Sequence, residues 1–214
     1  MIISKKTMLK VIFTCLLCLL LFTSVYAEKT IKVMLYGDSL MAGYGLTQNE
    51  NLASELSRNF EADNLEVSII NASISGNTSK NGLSRVEWSL GDNPDIVVIS
   101  LGANDMLRGL NPKLTSENLG STISKFKKNG TVIILAGMLS SESMGPDYQT
   151  QFDAIYPTLA AEHSLIFMPF LLTGVALEKD NLQLDYKHPN EKGIKLIAKN
   201  LYPYILEGLN KLKN

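Results

Sequence analysis

The stretch "DIVVISLG", Asp95 to Gly102, decides the reading of the fold. It runs from Ile96 to Leu101 with a single hydroxyl and no charge. A strand with one wet face alternates polar and apolar residues. An unbroken apolar run suits a strand covered on both faces, which is the habit of parallel sheets. On either side of it, similar strand patterns occur in "TIKVMLYGDS" (30–39), "LEVSIINAS" (65–73), "TVIILAG" (131–137) and "LIFMPF" (165–170). Helical spacing lies between them. It occurs in "NLASELSRNF" (51–60), in "NTSKNGLSRVEWSL" (77–90, capped at Thr78 or a neighbour) and in "LTSENLGSTISKFKKN" (114–129). "PDYQTQFDAIYPTLAAEHS" (146–164) is helical with a kink expected at Pro157. A last helix is expected from "HPNEKG" (188–193) through "IKLIAKNLYPYILEGLNKLK" (194–213), with Pro189 at its first position and an interruption near Pro203. Strands alternating with helices make βαβ units, so the class is α/β with helices on both faces of a parallel sheet.

The chain has 214 residues, 45% hydrophobic and 19% charged, which suits one domain with a sizeable core. Residues 1–27 stand apart. Lys5, Lys6 and Lys10 precede the apolar run "VIFTCLLCLLLFTSV", and small or neutral residues surround Ala27. That order reads as a signal peptide cleaved after Ala27. The alternative is a membrane anchor, but the run is short against the ~20 residues that span a bilayer. The expected organisation is a signal peptide at 1–27 and one domain at 28–214, periplasmic or secreted, with no stable membrane insertion after cleavage. Cys15 and Cys18 both lie in the segment to be removed, so the exported domain has no thiol for a disulfide or a metal. Loss of the three lysines takes the net charge from −1 to −4, which argues against nucleic acid as a partner.

Ligands of open α/β sheets bind beyond the carboxyl ends of the strands. The residues just after each strand are therefore informative. The first strand leads into "GDSLMAGYG" with Ser39, the second into "NASISGNTS" with Gly76, the third into "LGANDMLRG" with Asn104. The fifth leads into a longer connection, "LDYKHPNEKGIK", with Asp185 and His188. A serine hydroxyl needs a base, and histidine suits that role near neutral pH. Of the two histidines, His163 sits at a helix end before a strand, which leaves His188. Asp185, in the same loop, can hold its other ring nitrogen. The backbone N–H groups of Ser39 and Gly76 and the side-chain amide of Asn104 are candidate donors to an oxyanion. Each feature has a plainer alternative. "GDS" can be a turn, Gly76 punctuation, Asn104–Asp105 a helix cap and His188–Pro189 a helix start. Asp38 fits loop bracing better than acid chemistry.

Four ordered blocks resemble the GDSL esterases and lipases in their SGNH hydrolase grouping: "GDSLMAGYG", "NASISGNTS", "GAND" and "DYKHPN". The similarity runs over nearly the whole mature chain and is nearest to an exported bacterial thioesterase, arylesterase and lysophospholipase branch. It implies a flavodoxin-like three-layer α/β/α sandwich with strand order 2-1-3-4-5. It implies acyl-ester and thioester hydrolysis through an acyl-serine, with no metal and no cofactor. It implies Ser39, Asp185 and His188 as a triad, with Ser39, Gly76 and Asn104 forming the oxyanion hole. Ala103 departs from the branch, which often has a second glycine there, and tuning of activity is expected from it. The expected substrate is a small acyl ester, acyl thioester or lysophospholipid, and the expected state a monomer. Met106, Leu107, Met138, Leu139 and Met144 are candidate walls of an acyl groove, with surface loop and core packing as the alternative. Competing functions are a carbohydrate O-acetylesterase on the same scaffold and a non-catalytic lipid-binding envelope protein. A nucleotide or flavin binder is disfavoured, since neither G-x-G-x-x-G nor a P-loop is present.

Overall fold

A computed structural model describes residues 30–213 together with Lys6. The remainder of the expected signal segment lies outside the described residues. Five parallel strands form one sheet in the order 2-1-3-4-5: β1 (Ile31–Gly37), β2 (Val67–Asn71), β3 (Ile96–Ser100), β4 (Val132–Ala136) and β5 (Ile166–Met168). β3 is the central strand, and all five of its residues are buried. Its unbroken apolar run has that cause, because helices cover both faces. β2, at one edge, is only partly buried. Pairing is in register from Val33 opposite Ile96 to Gly37 opposite Ser100, so β1 and β3 end side by side.

Helices α1 (Ser39–Ala42), α2 (Leu52–Ala62), α3 (Ser79–Leu90), α4 (Ala103–Leu107), α5 (Pro112–Lys128), α6 (Pro146–Asp153), α7 (Ile155–His163) and α8 (Glu191–Lys211) connect and flank the strands. α2 packs with α8 on one face, and α3, α5 and α7 pack on the other. Thr78 caps α3 through a reciprocal box with Asn81, which fixes where the β2 loop ends. No described helix is long and apolar enough to cross a membrane.

Three local expectations are modified. Residues 146–164 form two helices that part at Ala154. Pro157 has no N–H to offer the carbonyl four residues back, so the first helix ends there. Pro189 is not the first residue of α8, because Asn190 is the cap and its side chain accepts from the Gly193 N–H. α8 also runs unbroken through Pro203. Pro203 and Lys199 are exposed, so the carbonyl freed by the proline faces water, while Leu201, Ile205 and Leu209 on the opposite face stay buried. Packing of that face outweighs one lost hydrogen bond.

Candidate active site

The order 2-1-3 makes the carboxyl ends of β1 and β3 the switch point of the sheet, where connections leave in opposite directions. Ser39 lies just past β1 and opens the short helix α1. Asp38 caps that helix, its carboxylate accepting from the Leu40 N–H at 3.0 Å. Asp38 is buried, and burial pushes its carboxyl up to about 6. It braces the serine turn, as expected for an acid with no route to solvent.

His188 arrives from the far end of the chain on a small hairpin. The Asn190 N–H donates to the Asn181 carbonyl and the Gln183 N–H to the His188 carbonyl, at 3.0 and 2.8 Å. Between them Tyr186 takes a left-handed φ of 55°, which turns the chain back on itself. The turn brings Asp185 onto His188. Their Oδ2 and Nδ1 are 2.6 Å apart, and Oδ1 accepts from the N–H groups of Lys187 and His188 at 3.0 Å each. The His188 ring bond and these two N–H groups hold the Asp185 carboxyl down at about 2, so it is a carboxylate throughout the neutral range. On the other side His188 Nε2 lies 2.8 Å from Ser39 Oγ. Ser39, His188 and Asp185 thus form one continuous hydrogen-bonded chain. His163 is at the end of α7, where its carbonyl accepts from Lys127.

Gly76 and Asn104 border the same site. Gly76 has φ +80°, and a Cβ there would meet nothing within 4 Å. Backbone conformation, not crowding, calls for glycine at this point. The N–H groups of Ser39 and Gly76 have no hydrogen-bond partner among the described residues. Asn104 is the second residue of α4. One of its amide hydrogens goes to the Asn77 carbonyl at 3.1 Å, and the other makes a long 3.4 Å contact with Asp38. The next residue, Asp105, is buried and accepts from the Ser79 N–H and hydroxyl at 2.7 and 2.5 Å and from Thr115 at 3.2 Å. It ties α4 to α3 and α5.

Ser39, His188, Gly76 and Asn104 open onto a cavity of about 790 Å³. Met106, Leu107, Met138 and Leu139 line it, as does Ala103. Met144 does not, and packs against the core instead. Among the described residues no group of three or more His, Cys, Asp or Glu could hold a metal ion.

Residues 35–196 match the GDSL-like Lipase/Acylhydrolase family. The chain belongs to that family. The GDSL hydrolase is 34% identical over 188 residues to Esterase TesA of Pseudomonas aeruginosa, covering 87% of this chain and 92% of the relative. It is 33% identical over 194 residues to thioesterase 1/protease 1/lysophospholipase L1 of Escherichia coli, covering 88% and 90%. Among solved structures, the psychrotrophic esterase EstA from Pseudoalteromonas sp., inhibited by monoethylphosphonate, superposes with a TM-score of 0.80 at 33% identity over 84% of this chain and 98% of that one. The protein is an esterase of the GDSL type.

Two supports of this GDSL site have no sequence signature. Arg85, on α3, donates to Asn77 Oδ1 at 2.9 Å and to the carbonyls of Ala72 and Gly37 at 2.7 and 3.2 Å, with its guanidinium carbon 3.9 Å from the Tyr36 ring centre. Gln183 donates to the Tyr44 carbonyl at 2.7 Å and to the Pro189 carbonyl at 2.9 Å, which stitches the histidine hairpin to the serine loop. A side chain on Gly45 would collide with the Gln183 amide oxygen, so the glycine leaves that bridge its room. Tyr44 also packs against the His188 ring in a tilted arrangement, ring centres 4.5 Å apart and planes at 37°. An arginine or a glutamine with helix or loop neighbours reads as a solvated residue until the fold is known.

Proposed function

We propose that Ser39 is the nucleophile of an acyl-serine mechanism, with His188 its base, Asp185 the group that orients the ring, and Ser39 N–H, Gly76 N–H and Asn104 the oxyanion donors. The carrying observation is the unbroken chain from Ser39 Oγ through His188 to Asp185 at the wall of an apolar cavity. Oγ attacks the acyl carbon while Nε2 takes its proton. The Asp185 carboxylate holds the Nδ1 proton and stabilises the imidazolium. Negative charge on the carbonyl oxygen meets two N–H groups that have no other partner, each worth about 3 kcal/mol of barrier when well aimed. Asn104 contributes by redirecting the hydrogen held loosely by Asp38. The tetrahedral adduct then breaks its bond to the leaving oxygen or sulfur, which takes the proton from Nε2. Water, deprotonated by the same nitrogen, releases the acid and restores Ser39.

The substrates are acyl esters and thioesters of the aryl ester, acyl-CoA and lysophospholipid kinds, a reading supported by relatives named as an esterase and as a thioesterase and lysophospholipase. The cavity's volume and its methionine and leucine walls favour acyl chains longer than acetate over a carbohydrate O-acetylesterase. The basic and apolar residues 1–27 support export to the periplasm or medium, and the mature enzyme acts as a monomer without membrane insertion. A panel of acyl-CoA, lysophospholipid and aryl esters of rising chain length, with Ser39→Ala as control, tests this reading. Cleavage of acetate alone would replace it by the acetylesterase, and undiminished hydrolysis by Ser39→Ala would remove the serine assignment.

A further inference from the structure

His188 Nε2 both accepts the serine proton and returns it to the leaving group, so the leaving group must lie against His188. That fixes which end of the cavity each half of the substrate occupies. The residue next to His188 in the chain is Lys187. It lines the same cavity as Ser39 and His188. Its N–H is pinned to Asp185 Oδ1 at 3.0 Å, so its backbone is held by the same carboxylate that holds the histidine. Its ammonium forms no ion pair among the described residues. The two acids that line the cavity, Glu142 and Asp153, belong to the connection after β4 and to α6. That connection also carries Met138 and Leu139. Arg108, the nearby cation on the other side, spends its guanidinium on the Gly76 carbonyl at 2.9 Å and does not line the cavity. The lining therefore carries one ammonium without an ion pair among the described residues, on the residue next to His188, and two carboxylates, on Glu142 and Asp153.

On the acyl-serine reading above, we infer that Lys187 is a specificity-determining residue that favours esters and thioesters whose leaving group carries a phosphate. An ammonium on a flexible stem recognises phosphate as a point charge and needs no fixed geometry. The phosphate can come from a glycerophosphate headgroup or from coenzyme A, and the chemistry is the same for both. The carboxylates of Glu142 and Asp153 repel the same group, which favours seating it at Lys187.

The test compares two matched pairs with equal short acyl chains, kept below micelle formation. One pair is 1-acylglycerol 3-phosphate against 1-acylglycerol; the other is the acyl thioester of 4'-phosphopantetheine, the phosphate-bearing part of coenzyme A, against that of pantetheine. Each pair differs in phosphate, so the ratio of kcat/KM within a pair reads the preference. The wild type favours the phosphorylated member. The ratio falls about 3-fold in Lys187→Ala and about 10-fold in Lys187→Glu, and high salt shrinks the effect, as for a partly solvated charge pair. Lys128→Glu, at the far end of α5, changes net charge equally and leaves the ratio within 2-fold. A fall in one pair alone tells which carrier's phosphate reaches Lys187. Equal ratios in wild type and Lys187→Glu, or an equal fall with Lys128→Glu, overturn the inference. Undiminished cleavage of the uncharged esters by Ser39→Ala is the separate result that removes the underlying reading.

Discussion

Replacing Arg85 by alanine tests whether the site depends on supports outside its own motifs. The change deletes three hydrogen bonds, to Asn77 Oδ1, the Ala72 carbonyl and the Gly37 carbonyl, and uncovers the face of Tyr36. Bonds from a charged donor are worth about 1.5–3 kcal/mol each when dry, but this guanidinium is only partly buried and water can replace part of what is lost. About 3 kcal/mol of stability is the expected loss, which for a domain of this size lowers Tm by about 6–12 °C. The effect on turnover has a different origin. Asn77 sits next to Gly76, and its carbonyl is what Asn104 leans on. One guanidinium therefore steadies two of the three proposed oxyanion donors. Losing a donor outright costs about 10²–10³ in kcat. Loosening two costs about 10- to 100-fold, with little change in KM, because the ground-state ester makes little use of them. Arg85→Lys reaches one acceptor and falls between. Thermal unfolding and p-nitrophenyl butyrate kinetics on the three proteins decide it. A fall in Tm with kcat unchanged refutes the coupling and leaves Arg85 a strut; an unchanged Tm refutes the hydrogen-bond accounting itself.

Ser39→Ala and His188→Ala lower kcat by at least about 10³-fold, whereas His163→Ala, whose contact is made by its backbone carbonyl, leaves it unchanged; steady-state kinetics separates them. Gln183→Ala frees the histidine hairpin from the Tyr44 carbonyl and lowers kcat about 10-fold, while Gln183→Glu keeps the shape, places a carboxylate against two carbonyls and does no better. Asp38 gives a pH signature. Its pKa rises from 3.8 unfolded to about 6 folded, so the unfolded chain releases the proton first as pH rises. Its contribution is most favourable below pH 3.8 and is lost up to about pH 6, on the order of 3 kcal/mol. Urea unfolding at pH 4 and 6.5 should show Asp38→Asn gaining on the wild type by about 2 kcal/mol between the two, since part of the full effect lies outside that window; parallel behaviour would refute the raised value. Asp185 works in the opposite window, its stabilisation present above pH 3.8 and lost as pH falls through about 2. Leu107→Trp and Met138→Trp fill the apolar wall and shift kcat/KM toward shorter acyl chains in a chain-length series, by about 10-fold at the long end.

The sheet was legible because its central strand is covered on both faces, and only an unbroken apolar run satisfies that. The helix cap at Thr78 was legible because its partner Asn81 is three residues away. Pro203 misled because a lost helical hydrogen bond costs little where the freed carbonyl faces water, and which face is wet depends on what the helix packs against. The candidate chemical residues could be picked out for a different reason: each alone has a plainer reading, but they stand together at successive strand ends in four ordered blocks. Their supports could not be. Five carbonyls around the site, those of Gly37, Tyr44, Ala72, Gly76 and Asn77, lie at or past the ends of β1 and β2 and receive side-chain donors from elsewhere in the chain. A loop that must expose its N–H groups to a substrate cannot satisfy its carbonyls through its own ladder. Donors have to come across from other segments, here Arg85, Asn104, Arg108 and Gln183. Their separations run from 13 residues, for Arg85 and Ala72, to 139, for Gln183 and Tyr44. No local pattern encodes a partner at such distances, so the positions that hold a site in shape are the ones a motif leaves unmarked.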